Sequence, residues 1–113
     1  MAAISTNDRA RRYLLVFRDM IDRLRSIPAG NDDDAVVERM SLHAEWDNVA
    51  GRVAKLDQMV SRGELSDAQI DEFASVARDL TALLPVLREH RYWLPDLDAL
   101  ARAAARPTAT PTS

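Results

Sequence analysis

Leu42, Trp46, Val49, Val53, Leu56 and Val60, then, beyond Arg62-Gly63-Glu64-Leu65-Ser66, Ile70, Phe73, Ala77, Leu80, Leu84 and Leu87: the reading of residues 42–87 decides the fold. On both sides of the polar break the apolar residues step alternately by four and three. That alternation keeps one stripe of a helix facing a partner. Two such stripes joined by a short turn predict two antiparallel helices packed on each other. Gly63 stands where a helix exit wants a positive φ. Ser66, with Asp67 beside it and Gln69 three residues on, forms a capping box for the next helix.

Working outward, the helix before the turn is expected as one piece from Asp33 to Arg62, about 45 Å long at 1.5 Å per residue. A seam of small residues on it, Ala50, Gly51 and Ala54, predicts a close helix contact. Asp32, Asp33 and Asp34 open this helix, where its dipole favours negative charge. They lack the alternate-position ligands, central glycine and distal glutamate of a calcium loop. Upstream, Pro28-Ala29-Gly30-Asn31 ends a first helix that starts at a cap among Ser5, Thr6, Asn7 and Asp8 and runs to about Ile27. Its stripe is Ala10, Leu14, Phe17, Ile21 and Leu24. Leu15 and Val16 make Tyr13-Leu14-Leu15-Val16-Phe17 apolar all round, which predicts a second neighbour for this segment. Arg9, Arg11, Arg12 and Arg18 read as a solvated face with Asp8, Asp19 and Asp22 as helical partners.

Downstream, Pro85 predicts a kink or break near Thr81, whose carbonyl it crowds and leaves unbonded. Tyr92-Trp93-Leu94-Pro95 marks a corner. A short amphipathic helix carrying Leu97, Leu100, Ala101 and Ala104 follows, packed across the end or back along the bundle. The expected fold is all-α: an antiparallel bundle of three long helices plus a short C-terminal helix, in one domain over residues 1–105. From Arg106 the Pro- and Thr-rich tail, residues 106–113, has no large apolar residue and is expected to be flexible.

Residues Leu56, Met59, Gly63, Leu65, Ser66, Ile70, Phe73 and Leu80 resemble the short bacterial helical hairpins called SHOCT domains. The basic ending of that family is missing, and no function follows from the resemblance.

Composition narrows the function classes. With no cysteine, thiol catalysis, disulfides and Cys-ligated metal sites are excluded. The formal charge is -3 with acids and bases interleaved, which argues against a dedicated nucleic-acid partner. Lys55 is the only lysine among 15 basic residues, a bias that fits GC-rich coding. No run approaches the roughly 18 apolar residues of a membrane span. The first residues lack the basic start and apolar run of a signal peptide, so no membrane association and a cytoplasmic location are expected.

The hairpin register gathers candidate site residues. Counting outward from the turn, His43 is level with Val86, with His90 one turn away, and Trp46 is level with Leu83. Across the first turn His43 is level with Phe17. Both histidines, both tryptophans and Phe17 therefore share one half of the bundle, beside Pro85, with Asp47 one turn from His43. Three readings stand. One is an aromatic core layer with histidines at its rim. A second is a small-molecule pocket lined by Phe17, Met40, His43, Trp46 and Trp93. The third is a metal site of His43, Asp47 and His90, although no Glu-x-x-His set of a di-iron bundle occurs. No nucleophile with a base at usable spacing can be named, and no Gly-rich phosphate loop is present, so no catalytic residue is assigned and an enzyme is not expected. The leading expectation is a non-enzymatic interaction module: a homodimer, or a bundle that docks another helical protein through Tyr13, Leu15 and Val16. The alternative is a small-molecule- or metal-binding bundle with its site at the His43/His90 end. Nothing in the sequence specifies a cofactor.

Overall fold

The computed structural model describes residues 5–106 and is all-helical over them. α1 (Thr6–Leu24) is capped by Ser5, whose hydroxyl accepts the Asp8 amide at 3.1 Å. α2 (Asp33–Val49) is capped by Asp32, which accepts the Ala35 amide at 2.8 Å, while Asp33 and Asp34 fill its first turn. α3 spans Arg52–Ser61, α4 Asp67–Glu89 and α5 Leu97–Ala104. The three long helices are thus α1, α2 with α3, and α4.

The expected single helix from Asp33 to Arg62 is interrupted at Ala50–Gly51. Both residues keep right-handed helical angles, but Val53 bonds back three residues to the Ala50 carbonyl at 3.4 Å, a tightened and poorly formed turn. Glycine there costs the helix about 1 kcal/mol relative to alanine. No close approach explains it: nothing lies within 4 Å of where a Gly51 Cβ would stand. The predicted tight contact is therefore absent at Gly51, although Ala50 beside it is buried.

The turn at Gly63 forms as the sequence indicates. Gly63 has φ +68°, its amide bonds the Val60 carbonyl and the Glu64 amide bonds the Met59 carbonyl, both at 3.0 Å. These two bonds satisfy carbonyls that the end of α3 would otherwise leave open. Ser66 and Gln69 complete the reciprocal capping box of α4. Pro85 does not end α4. Pro85 and Thr81 both lie on the exposed side of the helix, where an unbonded carbonyl costs less than it would in the core.

α1 and α4 run parallel. Asn7 and Gln69 exchange two hydrogen bonds at their starts, 2.7 and 2.9 Å. Arg18 then reaches Glu72, Ser75 and Asp79 at 2.6–2.8 Å. The most extensive backbone approaches of α4 are to α5 and α1, not to α3, because α5 lies back along the bundle against both α3 and α4. Two ion pairs hold it there, Arg102 to Asp57 at 2.7 Å and Arg106 to Asp71 at 3.1 Å. Arg106 is thus tied to α4; the rest of the tail expected to be flexible lies outside the described residues.

The stripes meet in one core. Phe17, Ile21, Leu24, Leu42, Trp46, Val53, Leu56, Phe73, Val76, Leu80, Leu87 and Leu100 are fully buried. Each is worth roughly 1.5–3 kcal/mol on full burial. No charged residue is buried among the described residues. Several arginines work at the edges instead: Arg18, Arg23 and Arg102 each bridge two helices with a fork of donors that a lysine lacks.

Candidate functional site

α4 ends by a turn of the same type as α3, but without glycine. The Tyr92 amide bonds the Leu87 carbonyl at 2.8 Å and the Arg91 amide bonds the Arg88 carbonyl at 3.2 Å. Arg91 occupies the left-handed region at φ +57°, which costs a side-chain-bearing residue on the order of 1 kcal/mol. The turn folds Tyr92 back onto the core, 7% exposed. Both imidazoles pack on its ring: His43 edge-on with centroids 4.6 Å apart, His90 tilted at 5.9 Å. His43 Nδ1 lies 3.3 Å from Asp47 Oδ2.

These residues line a recess of about 450 Å³, with Arg39, Met40 and Ala44 completing its wall on α2. Arg39 is anchored at the rim, donating from one guanidinium nitrogen to the Pro28 and Gly30 carbonyls at 2.9 and 2.7 Å. The Tyr92 hydroxyl is closed off from solvent and meets no hydrogen-bonding group of the protein among the described residues. Burial pushes its pKa above the ordinary value of 10.0; the nearby Arg39 charge opposes that shift and Asp47 adds to it.

The residues expected at this level are there, but several have another role. His43, Met40, Asp47 and His90 do line one recess. Phe17 and Trp46 do not: both are at 0% exposure, packed edge-to-face at 6.2 Å as the core layer beneath. Trp93 contributes its backbone, not its ring. Its carbonyl accepts the Trp46 indole N–H at 2.7 Å, while the Trp93 side chain is 69% exposed. The metal set of His43, Asp47 and His90 does not converge: among the described residues no three imidazole or carboxylate groups are placed to hold an ion. Both imidazoles instead pack against the Tyr92 ring, His43 edge-on and His90 tilted.

Tyr92 itself was not foreseen as a site residue. The only signal was an aromatic residue five positions after Leu87, the spacing at which a helix-ending turn brings the two together. Arg91, where glycine is usual, hid it.

A second candidate surface lies on α1. Leu15 is 64% exposed. It forms a ridge between two grooves, one of about 430 Å³ against Val49, Glu45 and Arg52, and one of about 260 Å³ against Ala68 and Glu72 of α4. Val16 is half-buried on the first groove. Tyr13 is half-buried under the Arg52 guanidinium, 4.9 Å from the ring centroid, and so already has a neighbour in its own chain. Arg18 departs from the solvated face predicted for it. It is clamped to α4, its charge state favoured first by the Glu72 hydrogen bond and then by Asp79.

The partnered serines hold backbone or side-chain groups in place. Ser5 and Ser66 are caps, Ser61 bonds the Asp57 carbonyl and Ser75 holds Arg18. No helix among the described residues is long and apolar enough to cross a membrane. The chain, its SHOCT-like stretch included, matches no known family model, no curated protein and no solved structure.

Proposed function

We propose that the protein is a non-enzymatic helical module that self-associates, and that a second copy docks antiparallel on the outer face of α1 across Leu15. The supporting observation is the layout of that face. Leu15 is an exposed apolar ridge with a groove on each side. Arg11 lies one turn before it and Asp19 one turn after it. In a twofold antiparallel crossing at Leu15, Arg11 of each copy faces Asp19 of the other, and each Leu15 seats in a groove of its partner. Within one chain these charges are barely used. Arg11 meets Asp8, and Asp19 meets Arg23, at 3.8 Å, with the Arg11, Asp8 and Asp19 side chains more than half exposed, contacts worth at most about 1 kcal/mol. Arg18, which would face Arg12 of the other copy across the axis, is already paired with Glu72 and Asp79.

A contact with one central apolar residue per copy is small, so the affinity falls in roughly the micromolar to millimolar range. Sedimentation velocity from about 5 μM to about 1 mM tests it. The wild type is expected to pass from monomer to dimer. Arg11→Asp and Asp19→Arg each shift the equilibrium to monomer, and the double swap restores the dimer. A wild type that stays monomeric throughout, or a double swap no better than the single ones, refutes the reading. A cytoplasmic setting and a bacterial source belong with this proposal; the cysteine-free composition is compatible with a reducing compartment.

A further inference from the structure

The recess at the end of α4 carries polar groups that the self-association reading leaves unused. Its wall offers the anchored Arg39 guanidinium and the His90 ring, and the Tyr92 hydroxyl is buried beneath it. It holds one carboxylate, Asp47, which faces His43 at 3.3 Å. The rest of the wall is flat or apolar: the Tyr92 ring, the imidazole faces, Met40 and Ala44. Its volume, about 450 Å³, lies in the range of small-molecule sites.

The buried Tyr92 hydroxyl sets this recess apart from an ordinary surface hollow. A buried hydroxyl without a partner is rare and costly, because its hydrogen bonds to water are lost and not replaced. Phenylalanine would fill the same space without that cost. We propose that the recess binds a small planar organic carboxylate, with its apolar body against Met40 and the Tyr92 ring and its carboxylate received by the Tyr92 hydroxyl and Arg39. The ligand reaches the hydroxyl by displacing the His43 ring. That ring is 40% exposed, and Asp47 is its only polar partner among the described residues. No residue of α1 lines the recess, so this site and the self-association surface stand or fall separately.

Benzoate and benzamide are the probes, titrated into the ¹⁵N-labelled full chain and followed by amide shifts. Benzoate is expected to give saturable shifts centred on Tyr92, His43 and His90. Benzamide, with the same ring and no charge, should bind at least about tenfold more weakly, the loss expected when a charged acceptor is replaced by a neutral one. Tyr92→Phe should weaken benzoate binding by a similar factor while the melting temperature of the unliganded protein stays level or rises. That pairing separates a ligand-binding hydroxyl from one held by an internal water, whose removal would lower the melting temperature and leave benzoate affinity unchanged. The proposal is overturned by that second pattern, by an absence of saturable shifts, or by equal affinity for benzamide.

Discussion

Replacing each tryptophan by phenylalanine separates the two roles that the structure gives them. Trp46 is completely buried against Phe17, and its indole N–H is donated to the Trp93 carbonyl at 2.7 Å. Trp46→Phe removes that bond, which is part-buried, a loss of about 1 kcal/mol. It also leaves a void the size of the lost ring, worth roughly 1–2 kcal/mol. The sum is about 2–3 kcal/mol. At about 4–8 °C per kcal/mol for a domain near this size, the melting temperature should drop by roughly 10–20 °C. Trp93→Phe keeps the carbonyl and changes only a side chain that is 69% exposed, so its effect should stay within about 0.5 kcal/mol. Denaturant titration followed by circular dichroism measures both. Fluorescence adds an internal check: the Trp93→Phe protein retains the blue-shifted emission of a buried indole, and the Trp46→Phe protein emits like an indole in water. Equal destabilisation by the two variants, or a Trp46→Phe cost below about 0.5 kcal/mol, would refute the assignment of Trp46 to the core and of the Trp93 side chain to the surface.

Three further outcomes are expected. Arg18→Met keeps the apolar stem but leaves Glu72 without its cation and Asp79 with Arg25 alone, at 3.6 Å; both carboxylates are about a third to two-fifths exposed, so thermal melts should show a loss of only about 1–2 kcal/mol, shrinking as salt is raised. Gly51→Ala meets open space at a right-handed helical position and should stabilise the α2–α3 junction by about 0.5–1 kcal/mol in the same assay. Tyr92 holds its proton more tightly folded than unfolded. Its contribution is therefore constant below pH 10.0, the ordinary tyrosine value, and is lost as pH rises above it. Stability measured from pH 8 to 11.5 should fall more steeply in the wild type than in Tyr92→Phe.

The architecture was legible because it rests on period and punctuation. The three-four stripes mark the buried faces, and Gly63 with the Ser66–Gln69 box marks the reversal; both act locally, within one helix or one turn. The break at Gly51 was less legible, since one glycine costs a helix too little to force an interruption. The course of α5 depends on ion pairs between residues far apart in sequence, Asp57 with Arg102 and Asp71 with Arg106, and no periodicity announces those. The candidate site divides the same way. Levelling residues across the turns brought His43, Asp47 and His90 to one recess, because helical rise is fixed. It could not say which way a side chain faces within a level. That is why Trp93 proved to be an exposed ring with a useful carbonyl, and why Tyr92 was passed over.

Self-association across Leu15 is tested most directly by a single cysteine, since the natural chain has none. A residue on a twofold axis meets its own copy, and two such cysteines fall within disulfide reach. Val37, on α2 and equally exposed at 64%, is the control. Under mild oxidation at equal protein concentration, Leu15→Cys should form disulfide-linked dimers many times faster than Val37→Cys, and raising the salt should slow it by weakening the Arg11–Asp19 pairs. Equal rates for the two variants, or faster linkage through position 37, would contradict the account.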